Sequence, residues 1–284
     1  MEEWLGRPVA DALTEEIRRK VEEAGVTPKL VILRIGARPE DLSYEKGALA
    51  RMKKCGFAAE VRTFPEDVRQ EEFERELKKA GSDPDTDGIL LFQPLPAGLD
   101  AKRVKERICP EKDLDGISPV NQAKLFAGDK SGFAPCTAEA LMRILSFYGV
   151  DPRGKKAVIV GRSTVIGRPA AMLLLSADAT VTVTHTKTQD LAAECRQADI
   201  LVAAAGHAGT VTADCIKPGA VVLDVGINVD ENGKLCGDVD AESVKRDGKA
   251  AALTPVPRGV GSVTTSVLAD HLLEAACRRR RAAE

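Results

Sequence analysis

The sequence predicts an α/β protein of two domains, each a largely parallel sheet covered by helices. Three observations carry this. Short apolar, β-branched runs alternate with amphipathic helical stretches along most of the chain. A length of 284 residues, 44% hydrophobic and 30% charged, suffices for two separate cores. Near the middle, Val158-Ile159-Val160-Gly161-Arg162-Ser163-Thr164-Val165-Ile166-Gly167-Arg168-Pro169 reads as a buried strand, a glycine turn and the start of a helix.

Taken in order, Val9, Leu13, Ile17 and Val21 recur every four residues, which predicts an amphipathic helix ended by Gly25. Lys29–Ile35 is a strand stopped by Gly36. Tyr44, Ala48, Met52 and Cys55 share one face of a second helix, ended by Gly56. Glu60–Phe64 is a strand, Phe73, Leu77 and Ala80 mark a third helix, and Gly88–Phe92 is a strand that breaks into Gln93-Pro94-Leu95-Pro96. This α-β-α-β-α-β order predicts a parallel sheet. After the polar loop Pro110–Gly116, Pro135-Cys136-Thr137 leads into a helix with Leu141, Ile144, Leu145 and Tyr148. Thr180–Thr184, Ile200–Ala203 and Val221–Asp224 are further strands, and Val267, Leu268, His271 and Leu272 mark the last helix. Its Arg278–Arg281 run reads as charge that neutralises the negative helix end.

The strand–glycine–helix unit offers backbone N–H groups and a positive helix end to a pyrophosphate, as in a Rossmann half. The fingerprint is imperfect, with Ser163 at the second glycine and Gly167 one place late, so an ordinary βα turn stays open. A site selective for NAD ends its second strand in an acid. Here His185-Thr186-Lys187-Thr188 follows, and Arg162 lies in the phosphate loop. Cations and hydroxyls without a carboxylate favour NADP over NAD, with solvated loop charge as the other reading.

A net charge of -2 implies no general attraction to nucleic acid or membrane. No run of about 18 apolar residues exists, so no membrane span is expected. Seven cysteines without a C-x-x-C pair point to reduced thiols in cytoplasm, and the three histidines lack ligand spacing, so no metal is expected.

The motifs together resemble the bifunctional methylenetetrahydrofolate dehydrogenase/methenyltetrahydrofolate cyclohydrolase family, of FolD type, over essentially the whole chain. The matching pieces are Tyr44, Pro94-Leu95-Pro96, Lys112-Asp113-Leu114-Asp115-Gly116, Pro135-Cys136-Thr137, Gly161–Pro169, His185–Thr188, Asp224-Val225-Gly226-Ile227-Asn228, Gly237-Asp238-Val239 and Thr254-Pro255-Val256-Pro257. The resemblance implies a folate substrate domain, residues 1–118 plus 258–284, completed by the C-terminal helix. It implies a Rossmann domain over 119–257, folate in a cleft between the two, and a homodimer formed through the Rossmann domain. It implies that Tyr44 stacks on the folate, that Asp115 hydrogen-bonds the pterin, and that Gln93, Pro94 and Leu95 line the substrate loop. Gly161, Arg162, Ser163, Gly167, His185, Thr186, Gly226 and Ile227 would meet the cofactor, and Pro257, Gly259 and Val260 would approach both ligands. From the residues alone, Tyr44 also fits a core aromatic and Asp115 a turn-former before Gly116.

Two departures bear on activity. The family places a lysine one helical turn after the tyrosine, where this chain has Ala48, and a glutamine where it has Phe92. Lys46 lies roughly on the opposite side of the helix, and Gln93 starts on the other face of its strand. Arg258 replaces a glycine, and Ser262-Val263 replaces Pro-Met. The expectation is a dehydrogenase converting 5,10-methylenetetrahydrofolate to 5,10-methenyltetrahydrofolate with NADP, its cyclohydrolase weak or absent. The alternatives are the full bifunctional enzyme producing 10-formyltetrahydrofolate, another two-domain oxidoreductase on a small acid, and a non-catalytic binder.

Overall fold

The structure is a computed structural model and describes residues 1–231 and 233–283. In chain order its elements are β1 (Glu2–Glu3), α1 (Gly6–Ala24), β2 (Lys29–Ile35), α2 (Pro39–Cys55), β3 (Ala58–Phe64), α3 (Gln70–Ser82), β4 (Gly88–Leu91), α4 (Ala101–Arg107), α5 (Pro119–Ala127) and α6 (Cys136–Phe147). There follow β5 (Lys156–Val160), α7 (Gly167–Ser176), β6 (Thr180–Thr184), α8 (Leu191–Cys195), β7 (Ile200–Ala203), β8 (Val221–Asp224), β9 (Asn228–Val229), β10 (Leu235–Cys236), α9 (Ala241–Asp247), β11 (Ala252–Leu253) and α10 (Thr264–Ala283). The chain divides into two compact units, Met1–Asp11 with Thr137–Thr264, and Ala12–Cys136 with Thr265–Glu284.

The second of these units is built on three parallel strands in the order β3-β2-β4. Central β2 is apolar on both faces because helices cover both, so it reads as a run and not as an alternation. Val31, Leu33, Phe73, Leu77, Ile89 and Leu91 form its core with Val104 and Ile108. Glycines in the left-handed region end α2 and α5 at Gly56 and Gly128, and the Asp100 and Ser118 side chains cap α4 and α5 by accepting backbone N–H bonds. The arginines of α10 hold specific partners. Arg278 donates to the carbonyls of Ser131 and Lys130, Arg279 grips Asp87 through two nitrogens, and Arg280 donates to the carbonyl of Gly25. Besides placing positive charge at the negative helix end, they tack that end to three loops.

The other unit is built on a six-stranded parallel sheet in the order β1-β11-β8-β7-β5-β6, beside the short antiparallel pair β9 and β10. Val158, Val160, Leu201, Ala203, Val222 and Leu253 form its core on one face. Nothing in Glu2–Glu3 signals a strand, yet β1 pairs with Ala252 and Leu253. Trp4 next to it stacks on Tyr148 at 4.4 Å between ring centroids, and the Tyr148 hydroxyl donates to the carbonyl of Leu5 at 2.9 Å. Among the described residues no helix is long and apolar enough to cross a membrane.

Candidate active site

In a parallel sheet all strands end on the same edge, and loops meet there. In the six-stranded unit β5 leads through α7 to β6 on one side, and the chain then crosses to β7 on the other. The turn after β5 therefore lies at the switch point. Gly161 continues both ladders: its N–H donates to the carbonyl of Thr184 at 2.9 Å, and Ala204 N–H donates to the carbonyl of Val160 at 2.8 Å. Its φ is +125°, and a Cβ there would fall on the carbonyl oxygen of Ala204. A Cβ on Gly167 would fall on the carbonyl of Gly161. Both glycines are required by close backbone approach.

Arg162, Ser163, Thr164 and Val165 are exposed between them. The Ser163 Oγ accepts the N–H groups of Ile166 at 3.1 Å and Gly167 at 3.4 Å, so this serine caps α7, whose first turn carries no acid. His185, Thr186 and Thr188 follow β6 on the same edge in a tight turn, with Thr188 N–H donating to the carbonyl of His185 at 2.8 Å. Lys187 is exposed there. An open glycine turn, a helix N-terminus and cations without a carboxylate fit the phosphates of a dinucleotide.

Two buried carboxylates that sequence reasoning gave no role brace the neighbouring loops. Asp224, at the end of β8, accepts the N–H groups of Gly226, Asp238 and Val239, each at 3.0 Å. Burial pushes its carboxyl up to about 6, against the pull of those three donors. Asp238 accepts Ala205 N–H at 2.6 Å, Gly206 N–H at 2.9 Å and the Asn228 amide at 2.9 Å. A Cβ on Gly226 would strike the Asp238 carboxylate, and one on Gly237 the Asp224 carboxylate. This clamp leaves Gly226 buried and presents Ile227 to solvent at 74% exposure. The signal available in sequence was an aspartate closing an otherwise apolar strand. The Pro257–Gly261 segment follows β11; Gly259 and Val260 are buried, Pro257 is exposed, and Arg258, also exposed, adopts φ +85°, strained for a residue with a Cβ.

In the three-stranded unit α2 begins just after β2, which holds Tyr44 near the carboxyl edge of the sheet. Phe92 follows β4 on that edge and meets Tyr44 edge-to-face, centroids 6.0 Å apart at 88°. Gln93 donates to the carbonyl of Phe92 at 3.3 Å, and beyond it Pro94 is exposed and Leu95 partly so. Phe92 thus stands against the Tyr44 ring. Beside them Arg34 and Glu45 form a nearly buried pair at 2.8 Å. One turn after Tyr44, Ala48 is fully enclosed at 0% exposure, while Lys46 is exposed.

Asp113 bridges Ile89 of β4 in parallel, and Asp115 lies in the turn that follows, which Gly116 N–H closes by donating to the Asp113 carbonyl at 3.2 Å. Asp113 is itself buried and accepts from Ile117 N–H, Ser118 N–H and the Asn121 amide, which folds the loop. Asp115 remains partly exposed, with one oxygen accepting Cys136 N–H at 2.8 Å. Burial raises its carboxyl above the ordinary value, opposed by that N–H. Gly116 follows with φ +58°, where a Cβ would meet the carbonyl of Phe133. Tyr44 and Phe92 form an aromatic surface at the edge of this sheet, and Asp115 offers a hydrogen-bond acceptor from the loop that bridges β4, groups suited to a flat heterocycle. Among the described residues no group of three or more His, Cys, Asp or Glu is placed to hold a metal.

Comparison with known proteins extends these observations. Residues 4–115 match the model of the tetrahydrofolate dehydrogenase/cyclohydrolase catalytic domain. Residues 135–280 match that of the tetrahydrofolate dehydrogenase/cyclohydrolase NAD(P)-binding domain. A curated relative from Alkaliphilus oremlandii, bifunctional protein FolD, is 54% identical over 276 residues, 96% of each chain. A crystal structure of the FolD bifunctional enzyme from Campylobacter jejuni superposes with a TM-score of 0.94 at 37% identity, covering 98% of this chain and 99% of that one. The Trypanosoma brucei dehydrogenase-cyclohydrolase, complexed with NADP cofactor and inhibitor, gives 0.90 at 35% identity over 99% and 98%. With both domain models matched in order and a relative of this identity spanning nearly the whole length, the chain belongs to the tetrahydrofolate dehydrogenase/cyclohydrolase family.

Proposed function

We propose that the chain oxidises 5,10-methylenetetrahydrofolate to 5,10-methenyltetrahydrofolate with NADP, and that its cyclohydrolase activity is weak or absent. The observation that carries this reading is one helix face. Tyr44 keeps the aromatic platform, while the position one turn on is Ala48, fully enclosed and without a proton to give.

Hydride leaves carbon without a proton, and the folate nitrogens stabilise the cation that results. The protein therefore supplies position and electrostatics, and no strong base is demanded. Tyr44 stacks on the substrate, and Asp115 accepts from its ring N–H and amino group as a two-point anchor. Pro94, Leu95, Pro257, Gly259 and Val260 shape the substrate loops, and Gln93 closes the pocket. NADP, when bound, is the hydride acceptor. Gly161, Ser163 and Gly167 shape the pyrophosphate turn; Arg162, His185 and Thr186 receive the additional phosphate; Gly226 and Ile227 border the nicotinamide end. The NADP complex of the Trypanosoma brucei relative supports this cofactor. Exposed apolar side chains on the six-stranded unit, Leu175, Val183, Val229 and Leu235, support assembly as a homodimer.

The test is spectrophotometric. Purified protein with methylenetetrahydrofolate and NADP should form NADPH, and with NAD markedly less. Methenyltetrahydrofolate offered alone should hydrolyse little above its uncatalysed rate. No NADPH formation sinks the first claim, and rapid hydrolysis the second. Arg162→Ala is expected to raise the KM for NADP by roughly ten- to a hundredfold, the weight of a charge-assisted hydrogen bond, while rates with NAD stay unchanged. A second reading, the full bifunctional enzyme yielding 10-formyltetrahydrofolate, is favoured by the Alkaliphilus oremlandii relative, which is a bifunctional protein FolD.

A further inference from the structure

The last helix carries a histidine into the core of the three-stranded unit. His271 is 6% exposed. Its Nδ1 lies 2.8 Å from the carbonyl oxygen of Leu114. A carbonyl only accepts, so Nδ1 carries the proton and donates it. The thiol of Cys136, at the start of α6, lies 3.5 Å from the same oxygen and 3.8 Å from Nδ1. The carbonyl immediately before Asp115 is thus held by donors from two elements distant in sequence. The carboxylate itself is held by the Cys136 N–H at 2.8 Å. The imidazole packs in turn on Phe133, centroids 5.0 Å apart, and the Arg278 guanidinium lies over the same ring, 4.8 Å from its centre.

A leucine of similar volume would fill this space without the cost of desolvating an imidazole. The hydrogen bond is what histidine adds. We infer that His271 is a positioning residue that aims the Asp115 carboxylate by fixing the Leu114 carbonyl, and so sets affinity for the pterin head group. The inference rests on the proposal that Asp115 anchors folate.

The experiment compares the full-length wild type with His271→Asn, His271→Gln, His271→Leu and Asp115→Asn, measuring KM for methylenetetrahydrofolate, KM for NADP, kcat and thermal midpoint. Asp115→Asn should raise the folate KM at least tenfold. His271→Leu should raise it about tenfold, one buried hydrogen bond's worth, with the NADP KM within about twofold of wild type. His271→Asn should restore it, because the asparagine amide nitrogen occupies the place of Nδ1. His271→Gln, whose amide reaches too far, should not, and it replaces the leucine variant if that fails to fold. An unchanged folate KM in the leucine or glutamine variant, beside a raised one in Asp115→Asn, overturns the inference alone. A lowered thermal midpoint with both KM values unmoved overturns it too, since that is a purely structural role. An unchanged folate KM in Asp115→Asn overturns the folate-anchor proposal itself, and this inference with it.

Discussion

Ala48→Lys is expected to raise the rate of methenyltetrahydrofolate hydrolysis by roughly a hundredfold, the low end of what one acid/base group contributes. The position faces the same side of α2 as Tyr44, one turn away, so the amine would project toward the substrate surface that the tyrosine defines. Because Ala48 is 0% exposed, the amine would also be desolvated, which lowers its pKa and makes a neutral, proton-accepting form available. The rate gained should therefore rise with pH through a lysine titrating below its ordinary value. The same enclosure sets the cost: added methylenes in a filled space destabilise by about 1–3 kcal/mol, visible as a lowered thermal midpoint. Measurement is direct, by loss of methenyl absorbance beside a wild-type control. If the wild type already turns over quickly, or the variant gains nothing while remaining folded, Ala48 is not the missing group.

The second large effect is Gly161→Ala. Two penalties fall on one atom: φ of +125° is strained for any residue with a Cβ, and that Cβ lands on the Ala204 carbonyl oxygen. Backbone strain and a clash against backbone each cost about 1–3 kcal/mol, so a loss of about 3 kcal/mol and about 5–10 °C in thermal midpoint is expected. The turn must shift to accommodate the methyl, which should weaken NADP binding beyond what stability loss explains. Gly206→Ala is the internal comparison. It also lies after a strand of the same sheet, with φ +71°, but nothing stands within 4 Å of its Cβ. Its cost should be about 1 kcal/mol, from strain alone. Equal effects at both positions would show that the Ala204 contact does not matter.

How much of this was legible follows from where the physical cause of each feature lies. Strands such as Val221–Asp224 and Ile200–Ala203 were readable because parallel strands covered on both faces must be apolar throughout, and that is a property of composition. The helices of α1, α2 and α3 announced themselves by period, with glycine stops at Gly25 and Gly56. The short helices α4, α5, α8 and α9 span too few turns for a period to show. β1 had no signal at all, since two glutamates become a strand only because Ala252 and Leu253 offer a free edge and Trp4 finds Tyr148. At the proposed site, the Gly161–Gly167 turn was readable as strand, glycine and helix start, and Tyr44 and Asp115 were named through motif order. The Asp224–Asp238 clamp was missed because all but one of its donors are backbone N–H groups, which every residue but proline owns and no letter advertises.

By itself the sequence determined the alternation of strands and helices, the glycine turn, the absence of a carboxylate after β6 and the presence of alanine at 48, because each is a matter of residue type at a stated spacing. Tertiary structure alone decided that Phe92 stands edge-to-face against Tyr44, that Ala48 is sealed, and that His271 reaches across to the loop carrying Asp115. Those outcomes depend on how elements far apart in the chain fill a common volume and satisfy one another's polar groups, and packing of that kind leaves no mark on local periodicity.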